Sequence, residues 1–162
     1  MPASDPLDIL LRHNQWGTHQ VLDACEPLSN EEFHQRLAIG PGSLHDTLTH
    51  IIGAMRSWGD VLAEREIRSR PEGESHSIAE LRVMLDEATA DLTKSAAAHP
   101  NDEVLTRERG GREYSFTRGA VLTHVTTHGV HHRAQCLNML RQLSREELPP
   151  LSAIEWSVLS SA

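Results

Sequence analysis

Residues 118–143 read RGAVLTHVTTHGVHHRAQCLNMLRQL. The apolar side chains of this stretch recur every three or four residues, which is the spacing of an amphipathic helix. They cluster on one side of the helix and comprise Val121, Val125, Cys136, Met139, Leu140 and Leu143. A helix of this length is stable in water only when its apolar face packs against partners. The stretch therefore predicts a bundle of helices.

Three other stretches show the same periodicity and begin with strong capping residues. Asp5, Ser43 and Ser77 each stand where a side-chain oxygen caps a helix N-terminus. We expect the first helix to run from Pro6 until Pro27 ends it, the second from Ser43 to about Glu66, and the third from Ser77 to near Ala98. Four amphipathic helices in 162 residues predict an all-α protein, a four-helix bundle forming one domain over residues 1–162.

The link before the last long helix differs from the helical stretches. Residues 104–117 (VLTRERGGREYSFT) contain two partly alternating runs on either side of Gly110-Gly111. Two glycines between such runs are a β-hairpin signal, so we expect a short hairpin or a long bent loop. After Pro149-Pro150, residues 152–159 predict a short C-terminal helix.

Composition and charge narrow the possible partners. The net charge of −8 with neutral histidines repels phosphate backbones, so we expect no nucleic-acid partner. The N-terminus has no basic residue before Arg12, and no apolar run approaches membrane-spanning length. We expect a cytoplasmic protein without a membrane partner. Cys25 and Cys136 lie on apolar helical stripes, where buried cysteine acts as a small hydrophobe.

Histidine is the unusual feature of this composition. The chain has eleven histidines, and four of them lie within residues 124–132. Histidines one helical turn apart can place their ring nitrogens on one ion. On the helical wheel His132 falls within the apolar stripe and His128 at its edge, whereas His124 and His131 lie further round. We therefore choose His128 and His132 as a metal-binding pair.

A third ligand is expected from another helix. His50 lies at the edge of the apolar stripe of the second long helix, while His45 points well away from it. His13 and His19 on the first helix remain alternatives. From spacing alone, His50 is the best of several candidates.

Two motifs resemble those of the DinB/YfiT-like family. The segment THVTTHGVHHRAQ at residues 123–135 resembles the family's closing-helix motif NHxxHHRGQ. The segment LTHI at residues 48–51, with Trp58 eight residues after the histidine, resembles its second-helix motif. Ala134 replaces the usual glycine and Thr127 the common asparagine. The resemblance covers the whole chain in the order of its helices.

The resemblance implies a divalent metal held by His50, His128 and His132. Three imidazoles leave an open coordination position, unlike a closed structural zinc site. Nitrogen ligands favour zinc or nickel here, with iron, manganese or copper as alternatives. We place the site at one end of the bundle core.

Four further residues are candidates for the pocket or for support of the ligands: Trp58, His124, Arg133 and Gln135. Trp58 is as well explained by core packing as by a pocket. Arg133 either faces an anionic substrate or pairs with a helix carboxylate. Gln135 lies inward of the metal pair, where it is expected to bond a ligand imidazole.

The resemblance also implies a reaction class. Some relatives join a low-molecular-weight thiol to an electrophile, so we expect a metal-dependent S-transferase, or a thiol-dependent isomerase, acting on small electrophiles. A metal-dependent hydrolase is the first alternative, for which Glu155 is the only candidate base. A non-catalytic metal-binding stress or interaction protein is the second alternative. We also expect a homodimer, as the family often forms one.

Overall fold

The three predicted capping residues each begin a long helix at the expected position. In the computed structural model, which describes residues 5–160, Asp5, Ser43 and Ser77 accept hydrogen bonds from backbone N–H groups of the helices that follow them. Four long helices result: α1 (Pro6–Cys25), α3 (Leu44–Leu62), α4 (Ile78–Ala98) and α5 (Arg118–Gln142). Two short helices, α2 (Asn30–His34) and α6 (Ala153–Leu159), complete the helical part described.

The four long helices pack as a bundle around one apolar core. Helices α1 and α3 each pack mainly against both α4 and α5, so that α1 faces α3 across the bundle. Fully buried side chains fill the centre, among them Leu22, Leu48, Ile51, Leu85 and Leu92. Each such side chain contributes about 1.5–3 kcal/mol through removal of its surface from water. The all-α four-helix bundle is thus confirmed, and none of the described helices is long and apolar enough to span a membrane.

Helix α3 ends at Leu62, four residues earlier than the expected end near Glu66. The chain leaves the helix because Glu64 adopts a left-handed backbone conformation, with φ 53°. The carboxylate of Asp60 accepts hydrogen bonds from the Arg65 side chain and from both the side chain and the backbone N–H of Arg68. These bonds turn the chain back toward the end of α3, so the expected extension to Glu66 is wrong.

The link before α5 is a β-hairpin, which was one of the two structures expected for it, and not a long bent loop. Strands β1 (Val104–Arg109) and β2 (Arg112–Thr117) pair in antiparallel fashion around Gly110-Gly111. Both glycines have positive φ, 61° and 74°, as a two-residue type I′ turn requires. The buried Arg118, which follows β2, donates to the carboxylates of Glu103 and Glu64 and to the Leu62 carbonyl. This arginine ties the base of the hairpin to the end of α3.

His45 contradicts the helical-wheel expectation that it points away from the core. Its side chain is buried, stacked on His34 of α2 with ring centroids 4.4 Å apart. Its Nε2 accepts a hydrogen bond from the backbone N–H of His76. The wheel placed His45 outside because it showed only the face of α3 that meets the bundle, whereas α2 and the loop before α4 cover the face next to it.

Candidate metal centre

Three histidines from two packed helices meet in one place. His50 comes from α3, and His128 and His132 lie one turn apart on α5. One ring nitrogen from each histidine lies within 4.8 Å of those of the other two. Within residues 5–160, these three residues are the one cluster of side chains placed to bind a metal ion together. The Nε2 atoms of His50 and His128 are 3.1 Å apart. His50 and His128 are only partly buried, so the group borders solvent.

Oxygen atoms of neighbouring side chains lie next to the Nδ1 atoms of two of the rings. The Nδ1 of His132 lies 2.8 Å from Oε1 of Gln135, and the Nδ1 of His50 lies 3.4 Å from Oε1 of Glu72. An imidazole whose Nδ1–H faces an oxygen acceptor presents the lone pair of Nε2 on its other side. The contact with Gln135 thus leaves Nε2 of His132 available to a ligand, and Nε2 of His50 faces His128.

This arrangement fits a transition metal. Two nitrogens bound at about 2.0–2.1 Å in tetrahedral geometry lie about 3.3 Å from each other, close to the 3.1 Å between His50 and His128. Burial, reinforced by the neighbouring His132 and His50, lowers the pKa of His128 to about 4. Burial also lowers the pKa of His132, against the opposing effect of Gln135. Neutral imidazoles are the form that binds a metal, and these two are neutral at pH 7.

An aromatic wall leads away from the three histidines. The ring of His124 lies 5.6 Å from that of His128 and 5.5 Å from that of Trp58. Trp58 in turn makes an edge contact with Phe116 of β2, with centroids 5.8 Å apart. Trp58 is partly buried and His124 is exposed. The wall therefore borders the group on the side of the hairpin and presents apolar surface next to polar ring nitrogens.

The group lies partway along its helices rather than at an end of the bundle core. His50 is well inside Leu44–Leu62, and His128 is near the middle of Arg118–Gln142. The expectation of a site at one end is therefore wrong. The site occupies the seam between α3 and α5, where partly exposed residues of both helices face each other.

The other candidate third ligands lie elsewhere. His13 is buried and bonds the carbonyl of Leu151, and His19 pairs with Asp86 of α4. His45 faces α2 and the α3–α4 loop (residues 63–77), as described above. His131 is exposed, and its Nε2 lies 3.2 Å from Nε2 of Gln135. Of the candidates weighed from the sequence, His50 alone joins the pair on α5.

Arg133 neither faces a substrate nor pairs with a helix carboxylate, so both expectations for this residue are wrong. The side chain is 1% exposed, so it faces neither a substrate nor a helix carboxylate. Its Nη1 instead donates to the backbone carbonyl and Oδ1 of Asn14 and to Oγ1 of Thr18 on α1. Burial lowers the pKa of the guanidinium to about 10, which leaves it charged at neutral pH. Arg133 thus joins α5 to α1 behind the metal group.

Glu155 does not serve the site either. Its carboxylate accepts a hydrogen bond from the backbone N–H of Ser152 and completes the capping box of α6. Helix α6 packs on α1, while the three histidines lie between α3 and α5. The expectation of a general base at this position is therefore wrong.

Two residues beside the site were not singled out individually from the sequence. Glu72 belongs to a polar loop without periodicity, so nothing in the sequence near it indicated contact with His50. Phe116 lies in the hairpin, and its contact with Trp58 depends on how the hairpin folds back onto α3. The nearest sequence signal is Gly53, three residues after His50, since a glycine inside a helix often marks a close approach.

Comparison with known proteins adds an independent observation. No curated protein matches the chain. The model of the DinB family matches residues 3–150, which include all three histidines and the four long helices. Because this match spans most of the sequence, the chain belongs to the DinB family.

Proposed function

We propose that this protein is a metal-dependent S-transferase that joins a small thiol to an electrophile at the group formed by His50, His128 and His132. The observation that carries the proposal is the convergence of three imidazoles in a partly open seam beside an aromatic wall. Membership of the DinB family supports metal binding. Nitrogen-only ligation favours zinc or nickel as the native metal, with iron, manganese or copper less favoured.

The three histidines would hold the ion as neutral ligands. When bound there, a divalent cation would supply positive charge that favours loss of the proton from a nearby thiol. The protein side chains supply the surroundings. Gln135 would hold the His132 ring, and Trp58 with Phe116 would offer an apolar surface against which an electrophile packs.

The proposed reaction is a substitution at carbon. The sulfur of the deprotonated thiol forms a C–S bond, and the leaving group departs with the electron pair of the bond that breaks. The thiol proton passes to solvent through the open side of the seam. Cys25 and Cys136 take no part, since both are fully buried and burial raises the pKa of the Cys25 thiol to about 12. The nucleophile therefore comes from the substrate.

Metal content is the first test of this proposal. Wild-type protein is expected to carry close to one zinc or nickel ion per chain by elemental analysis, because three nitrogen ligands converge at one point. His128→Ala and His132→Ala should each lose most of that metal. His99→Gln, an exposed histidine beside Glu103, is the control and should retain it. Full metal retention in both alanine variants would refute the assignment.

Reaction class is tested with a panel of small thiols and chlorodinitrobenzene, whose chloride is the leaving group. Metal-loaded wild type should turn over in a thiol-dependent manner, whereas metal-free protein and His50→Ala should fall to background. Activity that survives metal removal would refute the transferase. Cleavage of esters or amides without a thiol would instead identify a hydrolase, and metal binding without any turnover would identify a binding protein.

A further inference from the structure

The α3–α4 loop brings a carboxylate to one of the metal-binding histidines. Oε1 of Glu72 lies 3.4 Å from Nδ1 of His50 and also pairs with the guanidinium of Arg70. Oε2 of the same carboxylate is buried without a hydrogen-bond partner. A buried carboxylate oxygen without a partner is costly, and the imidazole beside this carboxylate belongs to the candidate metal centre.

Helix α3 is shaped to admit this carboxylate. Gly53 lies three residues after His50, on the same side of the helix. A Cβ atom at Gly53 would lie 2.5 Å from Oε2 of Glu72 and 2.9 Å from both Cδ and Oε1. All three nearest atoms belong to Glu72, so the carboxylate occupies the space that a side chain at position 53 would fill.

The loop is held in place by ion pairs. Asp60, whose side chain is fully buried, pairs with Arg65 and Arg68, and both arginines also pair with Asp91 of α4. These contacts fix the start of the loop against α3 and α4. Glu72 follows Arg68 by only four residues. The ion pairs of Arg68 with Asp60 and Asp91 therefore help to keep Glu72 next to His50.

Glu72 lies on the side of the His50 ring that faces away from the other histidines. The Nε2 of His50 faces His128, while Nδ1 faces Glu72. Among the described residues the convergent group contains three histidines and no carboxylate. The geometry therefore points to a positioning role: Glu72 holds the Nδ1 proton of His50 and so fixes the ring with Nε2 toward the metal. This inference rests on the metal-binding part of the proposed function.

A carboxylate behind a ligand imidazole orients the ring and makes it a stronger donor, and its removal typically weakens metal binding about 10–100-fold. We expect Glu72→Ala to lower the affinity for Zn²⁺ by this factor in a chelator competition, with no substrate present. Glu72→Gln should recover part of the loss, because its amide oxygen still accepts the Nδ1 proton. Glu74→Ala, an exposed glutamate of the same loop, is the control and should bind Zn²⁺ as wild type does.

Gly53→Ala provides an independent route to the same effect. The added methyl group should displace the Glu72 carboxylate and weaken Zn²⁺ binding about as much as Glu72→Ala does. In the double variant the methyl group meets no carboxylate, so the second substitution should add little. Additive losses would show that Gly53 and Glu72 act separately and would overturn the inference.

The tautomer of His50 tests the same contact without metal. Nitrogen NMR of metal-free wild type should show His50 protonated at Nδ1, and Glu72→Ala should reduce that preference. An unchanged tautomer together with unchanged Zn²⁺ affinity would overturn the positioning role. Since neither measurement uses a thiol or an electrophile, this outcome is distinct from failure of the transferase. If wild type bound no Zn²⁺, the proposed function would fail. The tautomer measurement alone would then show whether Glu72 holds the Nδ1 proton of His50.

Discussion

At the scale of single residues, Arg133 shows how a charge is buried without a carboxylate. Its hydrogen bonds reach only neutral groups of Asn14 and Thr18, and its Nε has no partner. Glycines make room for it, since a Cβ at Gly17 would lie 3.0 Å from Nε, and one at Gly129 would lie 2.7 Å from Nη1. The Arg133–Asn14 contact therefore depends on small residues in both helices.

Gly129→Ala is expected to destabilise the protein by about 2 kcal/mol. Alanine favours a helix by about 1 kcal/mol over glycine, but its methyl group would overlap Asn14 and break a buried charged hydrogen bond worth about 1.5–3 kcal/mol, besides straining the packing. Urea unfolding of metal-free protein measures the difference. Gly59→Ala, whose Cβ would make ordinary contact 3.5 Å from Asp91, is the control and should be neutral or stabilising. Equal stability of the two variants would contradict the role of Gly129.

At the scale of elements, the end of α3 and the loop after it depend on Asp60. Burial by itself raises the pKa of the Asp60 carboxyl, but hydrogen bonds from Arg68 and Arg65 outweigh it and lower the pKa. The Asp60 carboxylate is thus a fixed negative charge, and Arg65 and Arg68 in the first half of the loop bind to it. Removing this buried charge leaves Arg65 and Arg68 with Asp91 as their remaining carboxylate partner.

Asp60→Asn is expected to lower the free energy of unfolding by roughly 2–3 kcal/mol, because the arginines lose a charged acceptor. Amide exchange should accelerate in residues 63–77 more than in α5. Metal affinity should also fall, since the loop carries Glu72. Glu66→Gln, an exposed acidic residue of the same loop, should change none of these quantities. Unchanged exchange in Asp60→Asn would mean that the loop is anchored by other contacts.

The elements also show what the sequence predicts and where it stops. Caps, periodicity and the Gly110-Gly111 signal are local, so the four long helices and the hairpin were predictable. The choice of His128 with His132 depended on one helical wheel, and the structure brings this pair together with His50. His45, Arg133 and Glu72 could not be placed, because their surroundings come from α2, from α1 and from an aperiodic loop respectively. A single wheel contains no information on such neighbours.

At the scale of the whole molecule, stability should depend on pH through its buried histidines. Burial lowers the pKa of His13, His45, His128 and His132 below the ordinary value of 6.5. Below pH 6.5 the unfolded chain therefore binds more protons at these histidines than the folded protein does. The free energy of unfolding is highest above pH 6.5 in this respect and decreases as the pH falls. The contribution of His128 continues to decline to about pH 4.

We expect the free energy of unfolding of metal-free protein to decrease steadily between pH 6.5 and pH 4. Urea titrations at several pH values measure it. His128→Gln should have a shallower dependence in this interval, whereas Asp60→Asn should retain the slope, because the Asp60 carboxyl titrates below the interval. A wild-type stability that is constant from pH 6.5 to pH 4 would contradict the assigned burial effects.

Assembly is the second property of the whole molecule. We propose a homodimer, and helix α6 offers an apolar surface, with Ile154 76% and Val158 67% exposed. Light scattering at micromolar concentration should give twice the 18.0 kDa of one chain. Ile154→Asp with Val158→Asp should shift the mass toward one chain if α6 forms the interface. A wild-type mass of one chain would contradict the dimer.

The contact between Trp58 and His124 also gives the protein an optical signal of its own. Trp58 is separated from the candidate ligand His128 by a single ring, whereas Trp16 and Trp156 flank His13 on the α1–α6 side. A paramagnetic ion such as Ni²⁺ or Cu²⁺ bound by the three histidines should therefore quench mainly the emission of Trp58. A variant with Trp16→Phe and Trp156→Phe would report occupancy of the seam directly, without a dye or a coupled reaction.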